Sequence, residues 1–175
     1  MKKDWRGLIK IKKIQHLSKI GEVLWESSNI HNTLHLDGEL FILNAVFAGG
    51  QDNTFIPDFY YFGLDNRATI AAADTMASLE NEPSTNGYVR QDAASLGQFS
   101  VVLNAGHYRA ESPVIAFAAS ITGGWGPIRN LFLTDEPDGT GSLISSVALS
   151  GGAEISVGVG EQLLLEMGLS LFDVP

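Results

Sequence analysis

Apolar and polar positions alternate most regularly near the C-terminal end of the chain. Ala153, Ile155, Val157 and Val159 alternate with Glu154, Ser156, Gly158 and Gly160. Leu163, Leu165, Met167, Leu169 and Leu171 alternate with Gln162, Leu164, Glu166, Gly168 and Ser170, and Leu143, Ser145, Val147 and Leu149 repeat the pattern more weakly. A period of two places one set on a buried face and the other towards solvent, the mark of half-buried antiparallel strands. Turn clusters separate these segments: Gly123-Gly124, Asp135 to Gly141 and Gly151-Gly152. Short strands at this spacing predict a mainly β chain, an antiparallel β-sandwich of jelly-roll or Ig-like type.

Upstream, Ile20 to Ile30 reads as a first strand and Phe99, Val101 and Leu103 mark another. The aromatic run Phe59-Tyr60-Tyr61-Phe62 with Leu64 suits a strand buried on both faces. Leu36, Leu40, Leu43 and Phe47 follow helical spacing instead. Asn32 or Thr33 can cap that helix, Asp37 and Glu39 favour its N-terminal dipole, and Gly49-Gly50 closes it. It is apolar on most faces, so the expectation is burial against the sheet or a neighbouring subunit. Asp74 to Leu79 reads as a short helix, residues 81–87 as a loop and Tyr88 to Arg90 as a short strand.

Charge divides the chain into two parts. Residues 1–19 hold seven basic residues against Asp4, a net of +6. Residues 20–175 hold the other four basic residues against 19 acidic ones, a net of -15. The chain therefore divides into a basic N-terminal arm, 1–19, and a single β domain, 20–175. An acidic body repels nucleic acid and anionic membrane, so neither is expected as a partner. The arm also carries aliphatic residues that a purely electrostatic tail would not need. Lys2, Lys3, Trp5, Arg6, Leu8, Ile9, Lys10, Ile11, Lys12, Lys13 and Ile14 are thus candidate docking residues, extended onto another subunit. A solvated tail and a basic amphipathic helix are the competing readings. No apolar run approaches a membrane span, and cysteine is absent, which rules out disulfides and thiolate metal sites.

Candidate chemistry is sparse. His31 and His35 are four apart near Asp37, but no HExxH accompanies them, so a packing histidine is the better reading. No GxSxG occurs, and Gly158-Val159-Gly160 lacks the third glycine of a phosphate loop. Asp135, Glu136 and Asp138 could hold calcium, yet Pro137 interrupts the loop pattern and an ordinary acidic hairpin loop fits better. Asp65, Asn66 and Arg67 could serve a glycosidase or lectin, although no second carboxylate can be paired with them. Trp125 between Gly124 and Gly126 is the one candidate sugar platform, against a turn aromatic that covers the end of the sandwich. No enzyme activity, metal or cofactor is expected.

The order of features resembles a group of small tailed-phage virion proteins. The residues that carry this are Asn32-Thr33-Leu34-His35 with Gly38-Glu39 and the apolar helix, then Tyr61-Phe62-Gly63-Leu64. Asp74, Leu79 and Glu82 follow, then Gly87-Tyr88 with Arg90, Ile128 to Leu133, Leu143 to Leu149 and the pair from Ile155 to Leu171. The resemblance covers about residues 30–172 and leaves the basic arm unmatched. It implies a virion protein without catalytic residues, most simply a capsid decoration (cement) protein. Such a protein forms a dimer or trimer and docks on the major capsid protein or other virion proteins, after assembly in the host cytoplasm. A neck or tail component is one alternative, and a carbohydrate-binding module is another.

Overall fold

A computed structural model describes residues 8–31, 33–47, 59–79, 81–92, 99–104 and 107–170. Thirteen strands and one α-helix are found among them. The first strands are β1 (Leu8–Leu17), β2 (Val23–His31) and β3 (Thr33–Leu34), followed by α1 (Leu36–Phe47). Next come β4 (Tyr61–Asp65), β5 (Gln91–Asp92), β6 (Ser100–Asn104), β7 (His107–Glu111) and β8 (Ile115–Ala118). The last are β9 (Trp125–Ile128), β10 (Asn130–Thr134), β11 (Leu143–Ala148), β12 (Ile155–Val157) and β13 (Gln162–Ser170).

One sheet has the order β2-β1-β13-β7-β6, with β8 also pairing with β13. β7 and β8 are successive lengths of one chain running along β13. They are interrupted at Ser112-Pro113-Val114, where the Ser112 hydroxyl takes the Met167 N–H at 2.9 Å. The second sheet has the order β3-β11-β10-β4-β5, and β9 pairs with β12 as a separate ribbon. All these pairings are antiparallel. The protein is mainly β, and a core shared by Ile14, Leu163, Leu165 and Met167 of the first sheet with Phe62, Leu64, Leu131 and Leu133 of the second is consistent with a β-sandwich.

The closing alternation is realised in β13. Leu163, Leu165 and Met167 are buried and Glu166 is half-buried, while Leu171 lies outside the described residues. The aromatic strand behaves as expected in part: β4 is buried from Phe62 to Asp65, but it starts at Tyr61, and Phe59 lies before it and is exposed. Beyond it, the outer face of the second sheet is covered by the segment that carries Met76, which packs on Phe132 and Leu143. Gly63 is required there: it lies opposite Phe132, and a Cβ at Gly63 would fall 2.1 Å from the ring.

Other boundaries shift. The helix starts at Leu36 rather than near Asn32 or Thr33, because Thr33 and Leu34 pair with Ser146 and Ser145 and the Glu39 N–H bonds the His35 carbonyl at 2.8 Å. The short helix is a single 3₁₀ turn, Met76–Ser78, with Thr75 at its N-cap. Tyr88 to Arg90 is not a strand, and the pairing residues are Gln91 and Asp92.

The basic arm is the largest correction. Residues Leu8 to Leu17 are not a detached segment but strand β1, paired to β13 on one side and β2 on the other. Its alternation of aliphatic and basic residues is a strand pattern, with Ile14 fully buried opposite Leu165. A bulge at Lys12 turns both Lys12 and Lys13 to the outer face.

Candidate functional site

The expected docking residues divide three ways. Lys2, Lys3, Trp5 and Arg6 lie outside the described residues. Leu8, Ile9, Lys10 and Ile11 form the first half of β1, opposite Ser170, Leu169, Gly168 and Met167. Lys12, Lys13 and Ile14 are committed to the body. Lys12 Nζ sits 2.5 Å from Glu166 and 3.6 Å from Glu111, and Lys13 Nζ sits 3.3 Å from Glu26. These exposed pairs are each worth roughly 0–1 kcal/mol. They account for the charge of Lys12 and Lys13 within the body. The carboxylate bond to Glu166 raises the Lys12 amine above its ordinary value.

The unexplained surface lies at the end of the molecule where β1 begins. Ala110 is opposite Leu169, an odd-numbered position of β13, so Ala110, Tyr108, Val101 and Leu103 lie on the core face of the first sheet. That face runs on past the second sheet, and Val101, Leu103 and Tyr108 are 71, 63 and 67% exposed. Behind the hairpin is an apolar cavity of about 230 Å³, lined by Phe41, Ile42, Tyr60, Phe99, Ala110, Leu133 and Ile144. Tyr60 bridges its walls edge-on to Phe41 and Phe99, at centroid separations of 6.1 and 6.3 Å.

Helix α1 closes the other side and is apolar on two faces. Gly38, Phe41 and Ile42 turn inward, with Gly38 so close to β11 that a Cβ would fall 2.1 Å from the Ile144 carbonyl oxygen. Leu36, Leu40 and Leu43 form the opposite stripe and are 54–59% exposed. Burial of the periodic leucines was expected against the sheet or a neighbouring subunit, and they face away from the sheet.

The His31 side chain lies outside those described, and the other polar groups taken up here are absorbed by the fold. His35 is fully buried, its Nε2 lies 2.8 Å from Ser146 Oγ, and burial lowers its pKa below the ordinary 6.5. It is a packing histidine. Asp65 accepts the N–H groups of Arg67 at 2.7 Å and Asn81 at 3.1 Å, so it folds the loop over the second sheet. Burial nevertheless holds its carboxyl above the ordinary carboxylate value. Asp138 takes the Thr140 hydroxyl and N–H, and Asp135 takes the Ser142 N–H, as an ordinary hairpin loop requires. Trp125 is 5% exposed and packs edge-on against Tyr88, so no face of it is free for a sugar.

One cluster escaped sequence reasoning. Arg90 forks onto Glu82 at 2.8–3.2 Å, donates to the carbonyls of Glu136 and Asp138, and lies 5.2 Å over the Phe132 ring. The Tyr88 hydroxyl donates to Glu82 at 2.7 Å and accepts the Leu64 N–H at 2.8 Å. Burial holds that phenol well above its ordinary value of 10. Every Arg90 donor direction named here already has a partner inside the chain, so the cluster locks two loops to the sheet. Its only sequence signal is the presence of Glu82, Tyr88 and Arg90 within nine residues.

The chain matches no protein-family model and no curated protein.

Proposed function

We propose that the protein is a non-enzymatic assembly subunit that self-associates through the β6–β7 hairpin. The observation that carries this reading is the exposed core face of that hairpin. Three large apolar side chains on neighbouring strands are what an interface centre needs, whereas scattered single residues would call for no explanation. The partner we assign is a second copy. Among the described residues β6 is an edge strand, and its sequence, Ser-Val-Val-Leu-Asn, carries no charge. Antiparallel pairing of β6 with itself across a two-fold axis therefore sets no like charges opposite each other. It extends the first sheet into the partner and covers Val101 and Leu103 of both copies.

In this reading the particle is a phage virion, as the resemblance implies, and shell decoration is its simplest address. A shell offers many equivalent positions, so weak contacts add through multivalency. The β1–β13 pairing, which joins the first described strand to the last, favours a jelly-roll over an Ig-like arrangement. Sedimentation over a range of concentrations tests self-association: a dimer is expected from the two-fold pairing, whereas a trimer would refute that pairing and a monomer throughout would refute self-association. Copies per purified particle test the address. Hundreds support the shell, whereas a dozen or fewer would move the protein to the neck or tail.

A further inference from the structure

His35 joins three parts of the molecule, independently of the hairpin surface. We propose that it is an acid-sensitive latch: a proton on its buried imidazole releases α1 from β11 and opens the apolar cavity beneath the helix. The His35 N–H bonds the Ile144 carbonyl at 3.1 Å, and its carbonyl takes the Glu39 N–H at 2.8 Å. The next N–H, of Leu36, bonds the Ala72 carbonyl at 3.0 Å. The first turn of α1 is therefore fastened through this residue both to β11 and to the segment that carries Met76. The ring between them is fully buried and has a place for one proton only. Nε2 lies 2.8 Å from Ser146 Oγ, and Nδ1 has no hydrogen-bond partner among the described residues. A neutral ring with its proton on Nε2 suits this site. A second proton, on Nδ1, would put a charge and an unmet donor into a closed, largely apolar layer.

The neighbouring charges oppose that cost without meeting it. Asp37 of α1 and Asp74 of the covering segment favour the proton, as do the carbonyls of Ala71 and Ala72, yet burial outweighs all four. Asp74 is also 3.4 Å from Arg67. β3, β10 and β11 bring no charged side chain to the site. Helix α1 is the part able to yield. Its Leu36, Leu40 and Leu43 stripe is exposed, and its inward Phe41 and Ile42 line a cavity in place of a filled core, so few contacts hold it once the junction opens. In the open form water reaches both ring nitrogens and the imidazole returns to its ordinary 6.5. The closed ring titrates below that value, so the open form binds the proton first. The latch is complete above pH 6.5, and the opening equilibrium rises by up to about tenfold per pH unit as pH falls towards the closed value.

Hydrogen exchange of the full-length chain between about pH 7.5 and about pH 5 tests the latch, with protection factors corrected for the intrinsic rate at each pH. Protection of α1 should fall by up to about tenfold per pH unit, while β13, which is paired with β1, β7 and β8 and takes no part in the junction, keeps its own. His35→Gln retains an amide donor for Ser146 and cannot take up the proton, so it should leave α1 equally protected at both ends of the range. A circular dichroism melt checks that this variant is folded. The wild-type ring supplies a check that needs no variant, because its NMR signal reports when the imidazole is charged. Unchanged protection of α1, an equal loss in α1 and β13, or a loss that persists in folded His35→Gln would each overturn the proposal. So would a His35 signal that titrates fully while α1 keeps its protection.

Discussion

The middle of the second sheet and the open end of the molecule are built from the same kinds of residue and behave oppositely. In the middle, Phe62, Leu64, Leu131, Phe132 and Leu133 are all buried, because the first sheet covers one face and the Met76 segment the other. At the open end, Val101, Leu103 and Tyr108 continue a core face into solvent, and Leu36, Leu40 and Leu43 point away from the body. The comparison teaches that apolar periodicity reports which residues share a face and leaves open what covers that face. In the middle the cover lies within the same chain. At the open end the described residues supply none.

The two regions can be driven apart by mutation. The largest effect is expected at the lock on the middle region. Arg90→Ala leaves Glu82 and Tyr88 without their cation and frees the loop from Asp135 to Gly141. Breaking a largely buried pair of this kind should cost about 3–5 kcal/mol in denaturant unfolding. Arg90→Ala with Glu82→Gln should recover part of that loss. Next comes the core of the first sheet. Leu165→Ala should cost about 2–5 kcal/mol, while Glu166→Ala, on the outer face, should cost under about 1 kcal/mol. Equal losses for the two would show that β13 has its faces exchanged. Gly38→Ala should cost about 1–3 kcal/mol, because the new methyl would push α1 off the Ile144 carbonyl.

How far these features were legible depends on where their partners lie along the chain. β13 was legible because its leucines and Glu166 alternate locally. β4 was legible from its unbroken aromatic run. β1 was not: its isoleucines and lysines alternate as a strand should, but the carboxylates that neutralise Lys12 and Lys13 come from Glu166, Glu111 and Glu26. Without those partners, the same residues read as an unattached basic arm. The helix was legible as a helix, yet its orientation was not, since it is apolar on both the Phe41 face and the Leu40 face. Arg90 is a polar residue in a loop and Asp65 a polar residue at the end of β4, and only the fold shows that each organises a layer.

A smaller effect sharpens the comparison at the join of the two regions, where His35 leads into α1. Its folded pKa is depressed, so the stability it contributes is complete above 6.5 and is lost as pH falls through the folded value. Unfolding free energy should decline below pH 6.5 by up to about 1.4 kcal/mol per pH unit. The Glu161 carboxyl, lowered chiefly by the Gly158 N–H and also by His16, acts in a separate window below its ordinary 4.5. His35→Gln should flatten the upper window and spare the lower one. A slope unchanged by that substitution would assign the upper window to another group.

The distinction between core and interface is tested most directly by Leu103→Lys, followed in parallel by thermal unfolding and sedimentation velocity. An exposed interface residue predicts a midpoint within about 0.5 kcal/mol of the parent, together with loss of the associated species. A destabilisation as large as that of Leu165→Ala, or association unchanged by the lysine, would contradict the account.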